Sequence, residues 1–144
     1  MRIYCIEDFK EAYEKLITKN AYKKLEKDII QYFFNKTFDE LCSGTRLNAR
    51  LKESSETPYI KKRLGGSGGY RVYFLAIVKD ESLYLMFVHP KTGKMGSSNI
   101  TDESKTYLYQ KVFECIRDEQ LYDLHPNEEK NGIVFEAVSK RKER

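Results

Sequence analysis

The chain has 144 residues, 40% of them hydrophobic and 33% charged, which is room for one domain over residues 1–144 with a single apolar core. This composition excludes a disordered polymer, and no run approaches the roughly 18 apolar residues of a membrane-spanning helix. The net charge of +4 is unevenly spread: residues 46–74 hold seven basic and two acidic side chains, whereas residues 1–45 hold eight of each and residues 101–131 hold four against eight. A basic centre in an otherwise balanced chain suits a polyanionic partner, although a solvated charged face is the plainer alternative.

In chain order, Met1 to Ile6 is short and apolar, which predicts an opening strand. Asp8 stands as an N-cap before Phe9, Ala12, Tyr13, Leu16 and Ile17, whose spacing is one face of a helix. Asn20 interrupts, and Tyr22, Leu25, Ile29 and Phe33 repeat the period, so two amphipathic helices form a hairpin. Arg46 to Lys52 alternates Leu47, Ala49 and Leu51 with Arg46, Asn48, Arg50 and Lys52, which predicts a half-buried strand. Glu53 to Gly69 is polar, contains Pro58 and ends in four glycines within five positions, which predicts a long flexible loop.

Tyr70 to Val78 and Leu83 to Val88 are apolar on both alternating faces around the polar turn Lys79 to Ser82, the pattern of a hairpin of central strands. A Gly/Ser/Asn-rich connection over 91–100 leads to Thr101, which caps a helix buried through Leu108, Val112, Cys115 and Ile116 and ending near His125 and Pro126. Asn131 and Gly132 make a turn, and residues 133–138 read as a last strand. The fold class is therefore α+β: an N-terminal strand and helical hairpin packed on a small, mainly antiparallel sheet, then a C-terminal helix and an extra strand.

The chemistry-bearing residues narrow by elimination. Cys5, Cys42 and Cys115 are odd in number, widely spaced and without a Cys-x-x-Cys pair, so they read as buried reduced thiols rather than a disulfide framework or zinc ribbon. The residues before Asp8 carry no secretory pattern, and the expected location is cytoplasmic. Gly65 to Gly69 precedes a strand and lacks the Gly-Lys-Ser/Thr of a phosphate loop. Joined to Lys61, Lys62 and Arg63 before it and Tyr70 and Arg71 after it, the segment reads either as a basic arm that tracks a nucleic-acid backbone or as a solvated loop.

His89 and His125 form no ligand-spaced pair, so no metal site is expected; His89 reads as structural or as a proton shuttle at a strand end. No serine nucleophile motif or local carboxylate pair stands out. What remains is a cluster of Arg, Lys and Tyr. Such a cluster is compatible with phosphodiester transfer in RNA, where the ribose 2′-hydroxyl is an internal nucleophile and cations stabilise charge growing on phosphorus without a metal.

Gly68-Gly69-Tyr70-Arg71-Val72-Tyr73-Phe74, followed by Leu83 to Val88, resembles the RelE/ParE superfamily of bacterial toxins, and within it the HigB-like branch. Gly44 to Leu51 is similar to that family's basic strand, and the glycine-rich loop to the HigB-like basic loop. The similarity spans roughly Ile3 to Cys115 and leaves a C-terminal extension from about 118. It implies a RelE-like fold and the toxin of a type II toxin-antitoxin system, a ribosome-dependent, metal-independent endoribonuclease that cleaves translated mRNA and needs no cofactor. Its implied partners are a cognate antitoxin, the ribosome and mRNA, with no membrane.

Carried over by position, Arg71 stabilises the phosphate transition state, with Arg50, Tyr73, Lys91 and Lys94 as further catalytic candidates. Arg46, Lys52, Lys61, Lys62, Arg63 and His89 are the candidate RNA contacts, and the general acid and base stay unassigned. Two other readings remain open on the same scaffold: a ParE-like toxin that binds DNA gyrase without cutting RNA, and a non-catalytic nucleic-acid-binding module.

Overall fold

A computed structural model describes residues 1–43, 45–46, 56–66, 69–91 and 100–138. The elements are β1 (Arg2–Cys5), α1 (Glu7–Ile17), α2 (Leu25–Phe33), α3 (Phe38–Leu41), β2 (Thr45–Arg46), β3 (Tyr59–Leu64), β4 (Tyr70–Ile77), β5 (Ser82–Pro90), α4 (Asp102–Asp118), β6 (Tyr122–Pro126) and β7 (Ile133–Ala137). The strands form one seven-stranded sheet in the order β2-β3-β4-β5-β1-β6-β7. Among the described strands the β1–β5 pair alone is parallel and the other pairs are antiparallel, and the class is α+β. Among the described residues no helix is long and apolar enough to cross a membrane.

Both faces of the central strands are covered. On one, Val72, Phe74, Ala76, Leu83, Leu85 and Val88 pack against Phe9, Tyr13 and Leu16 of α1 and Leu25, Ile29 and Phe33 of α2. The Phe33 ring meets the Phe74 ring edge-on at 5.3 Å, and each such fully buried side chain contributes about 1.5–3 kcal/mol. On the other, Tyr59, Tyr73, Leu75, Tyr84 and Met86 lie with Leu108, Val112 and Cys115 of α4. This double burial is why β4 and β5 read as continuous apolar runs. Cys5 and Cys115 are buried and Cys42 half-buried, all free thiols.

The structure departs from the sequence expectations at four places, and a fifth expectation lies mostly outside the described residues. Residues 59–64, expected inside a flexible loop, are β3, paired with β4 along their whole length from Tyr59 opposite Leu75 to Leu64 opposite Tyr70. The basic stretch Lys61–Arg63 is thus held in the sheet and is no mobile arm. Of the strand expected over 46–52, Arg46 belongs to β2 and stands opposite Ile60, and 47–52 lie outside the described residues. The C-terminal helix stops at Asp118 rather than near His125, because Glu119 takes a left-handed conformation (φ 57°) and Gln120 N–H turns back to the Cys115 carbonyl; Tyr122–Pro126 is then a strand.

The cap of α1 is Ile6, not Asp8, since β1 runs straight into the helix: Ile6 N–H still bonds the Leu85 carbonyl while its own carbonyl accepts from Lys10 N–H. Asp8 lies in the first turn, where its charge suits the helix dipole. The short α3 was not expected, although Thr37 and Glu40 form a full capping box. Other expectations hold in place: Thr101 caps α4 by accepting from Ser104 N–H at 3.0 Å, and β7 pairs with β6 as a strand of the sheet.

Candidate functional site

Cross-strand register gathers the site. On the α4 face of the sheet, Arg63, Arg71 and His89 stand opposite one another on β3, β4 and β5, followed by a row of Lys61, Tyr73 and Phe87. The next position along β3, Tyr59, is under α4: its ring stacks on Tyr109 and its hydroxyl donates to the Lys105 carbonyl. The helix therefore roofs the apolar part of the face, while the two basic rows lie at and beyond its N-terminal end. Gly69 closes the β3–β4 turn beside the first row, and a Cβ there would collide with the Leu64 carbonyl oxygen, so position 69 admits no side chain.

His89 reaches that face through a β-bulge. Tyr73 is opposite Phe87 but Phe74 is opposite Leu85, which leaves Met86 as an extra residue on β5. Tyr84 and Met86 alternate normally toward α4, and strict alternation would then point Phe87 and His89 at α1 and α2. The extra residue resets the phase: Val88 joins the α1–α2 core, and the His89 ring stacks at 5.5 Å on Tyr73.

His89 is only 6% exposed, and both ring nitrogens are engaged. Nδ1 lies 2.9 Å from the Pro90 carbonyl oxygen, which can only accept, so Nδ1 carries the proton. Nε2 then accepts from the Tyr73 hydroxyl at 2.9 Å. That hydroxyl in turn accepts from the backbone N–H of Ile100. Burial pulls the His89 pKa below its ordinary value, opposed by the hydrogen bond to the Pro90 carbonyl and reinforced by the Arg71 and Lys61 cations, which favours the neutral ring. Burial pushes Tyr73 up to about 12, opposed by the Ile100 N–H and by Arg71.

Around this pair the charge is one-sided. Arg71 is 4% exposed, its Nη1 donates to the Tyr70 carbonyl at 3.2 Å, and its Nε has no partner. Among the described residues no carboxylate forms an ion pair with Lys61, Arg63 or Arg71. Burial lowers the Lys61 pKa, as do the cations of Arg63, Arg71 and Lys105. A buried guanidinium without an anion among the described residues is an expensive arrangement, and an anionic oxygen would supply what it lacks.

Of the sequence candidates, Arg71, Tyr73, Lys61, Arg63 and His89 come together. Lys62 does not: it points to the opposite face, its Nζ 4.9 Å from the centre of the Tyr32 ring. Lys91 follows β5, is exposed, and donates its backbone N–H to the Gly69 carbonyl at the same end of the sheet. Arg50, Lys52 and Lys94 lie outside the described residues. Sequence reasoning missed Lys105, a helix-surface residue with no local motif, and the Ile100 N–H, which only the path of the backbone reveals. Among the described residues no cluster of His, Cys, Asp and Glu could hold a metal. Chemically the face offers a neutral imidazole, a phenol hydrogen-bonded to it, and converging cations. No protein-family model, curated protein or solved structure matches this chain.

Proposed function

We propose that this chain is the toxin of a type II toxin-antitoxin system, a cytoplasmic endoribonuclease of the RelE and HigB kind that cuts translated mRNA on the ribosome without a metal. The observation that carries the reading is the convergence of an unpaired buried Arg71 with the hydrogen-bonded Tyr73–His89 pair on one basic face. A cognate antitoxin would cover that face.

In the proposed reaction the 2′-hydroxyl attacks the adjacent phosphorus, the P–O5′ bond breaks, and the products are a 2′,3′-cyclic phosphate and a free 5′-hydroxyl. The Tyr73 oxygen takes the 2′-hydroxyl proton as its own proton passes to His89 Nε2, so a phenol with a high pKa never has to exist as a free phenolate. The resulting imidazolium returns the proton through Tyr73 to the departing 5′-oxygen. Arg71 and Lys61 stabilise the charge that builds on the phosphoryl oxygens. Burial keeps His89 neutral and ready to accept, as a base should be.

The test is induction of the chain and of Arg71→Ala in a bacterial host, with mRNA 5′ ends mapped within minutes. Discrete new ends inside translated regions, absent with Arg71→Ala, are expected. Growth arrest with intact mRNA and a DNA-damage response would replace this reading with the gyrase-binding one, and salt-sensitive RNA binding without any growth effect would leave a non-catalytic binding module.

A further inference from the structure

Beside His89, the outer edge of β5 has no neighbouring strand among the described residues. β1 pairs with β5 only from Ser82 to Leu85, after which the chain leaves the sheet as α1 and runs along β5. Between α1 and residues 87–90 of β5 lies a cavity of about 250 Å³. That is smaller than the roughly 300–1,000 Å³ that drug-sized ligands occupy, and it suits one flat ring system. Its apolar lining comes from Ala12, Leu16, Phe87, Val88 and Pro90. Its polar lining comes from Asp8, Glu11, Lys15 and His89.

These carboxylates have acceptor capacity to spare. Asp8 receives one hydrogen bond, from the Tyr107 hydroxyl at 3.3 Å, and Glu11 has no hydrogen-bond or ion-pair partner among the described residues. Ionised carboxylates only accept, so they select a ring bearing N–H donors. Guanine presents N1–H and an exocyclic amine side by side, adenine and cytosine present an exocyclic amine, and uracil meets a carboxylate with carbonyl oxygens flanking its single N–H. A cationic side chain fits less well, because Lys15 also lines the cavity and Arg71 faces His89 across the strand pair.

We infer that this cavity is a nucleobase pocket that reads an amino-bearing base, guanine above all, through Glu11 and Asp8, and thereby seats the attached phosphate at Arg71 and the Tyr73–His89 pair. The inference rests on the reading of the basic face as a phosphodiester site, and it gives α1 a direct part in choosing where RNA is cut. His89 is the shared residue: it is among those that line the cavity, and its ring bonds Tyr73 on the adjoining face, so a base in the cavity would bring its ribose phosphate toward the proton-transfer pair.

The experiment is equilibrium binding of GMP, AMP, CMP, UMP and ribose 5-phosphate to the whole chain, followed by NMR shifts of the Phe87 and His89 side chains. GMP is expected to bind roughly fivefold or more tightly than UMP or ribose 5-phosphate. Glu11→Gln, at an exposed position, removes that preference, and Ala12→Phe fills the cavity and brings GMP down to the affinity of ribose 5-phosphate. Equal binding of all five ligands, a preference that survives Glu11→Gln, or tighter binding of an N-acetylated arginine amide than of GMP would overturn the proposal. Because binding is read without cleavage, a GMP preference in a protein that leaves mRNA intact keeps the pocket and removes the ribonuclease reading, while cleavage without base preference does the reverse.

Discussion

Replacing Arg71 with Met separates a functional arginine from a structural one, because the two make opposite predictions for stability. In the folded protein Arg71 is 4% exposed and, among the described residues, its guanidinium donates one hydrogen bond to the Tyr70 carbonyl and its Nε has no partner. Desolvating an ion still costs several kcal/mol after relaxation, and an unsatisfied buried donor about 1–3 kcal/mol more, whereas one hydrogen bond from a charged donor returns only about 1.5–3 kcal/mol. Repulsion from Lys61 and Arg63 adds to the debit. Methionine is flexible and uncharged and follows the aliphatic stem of the arginine, so Arg71→Met is expected to raise stability by about 1–3 kcal/mol. Unfolding entropy of about 2.1 cal/mol/K per residue makes 1 kcal/mol worth about 3 °C in a chain of 144 residues, so Tm should rise by about 3–10 °C. RNA cleavage should be abolished in the same variant. A Tm that falls by several degrees in scanning calorimetry would show that Arg71 holds the fold together, and the argument that it awaits an anion would fail.

Tyr73→Phe removes the hydroxyl between His89 Nε2 and Ile100 N–H, and should slow cleavage by about 10²–10⁴ while costing only about 1–2 kcal/mol in stability; single-turnover rates near the wild-type value would remove Tyr73 from proton transfer. His89 has a folded pKa below its unfolded value, so the folded state binds that proton less readily. Its stabilising contribution is complete above about pH 6.5 and is lost as pH falls through the folded pKa; urea titrations should show His89→Phe losing less stability than wild type over that descent, and parallel losses would refute the assignment. Glu26 accepts from the Tyr13 hydroxyl at 2.6 Å and from Ile133 N–H at 3.0 Å, clasping β7 to the helices. Glu26→Ala should cost about 2–3 kcal/mol and raise hydrogen exchange across residues 133–137, and unchanged protection there would show that β7 is held by pairing with β6 alone.

The sequence was most legible where one period governs burial. The α1 stripe and the double-sided apolar runs of β4 and β5 lie where the spacing puts them, and Arg71 and Tyr73, two residues apart on β4, share a face as any strand requires. Residues 59–64 were illegible because three consecutive cations follow Pro58 and Ile60, which argues for solvent. In the sheet, Lys61 and Arg63 project beyond the end of α4, and Lys62 lays its charge over the Tyr32 ring, so the strand forms without burying an unpaired ammonium in an apolar core. The overrun of the last helix has a similar local cause: helices commonly end on a left-handed glycine or asparagine, and here a glutamate, Glu119, takes that conformation.

The site itself depends on two mismatches that no periodicity announces. β5 has nine residues and β1 only four, so the far half of β5 borders α1 instead of a strand, which makes room for a cavity. Within that same half, one extra residue at Met86 reverses the facing of everything after it, carrying His89 away from the α1–α2 core and onto the face that holds Arg71 and Tyr73. A regular strand would bury the imidazole among Phe and Leu side chains and leave the arginine without a neighbour able to move a proton. A bulge interrupts ladder pairing, and an unpaired buried arginine adds its own desolvation penalty. Two local departures from a stable sheet converge within one pair of facing residues, Arg71 and His89, which is where a binding role would offset what the fold loses.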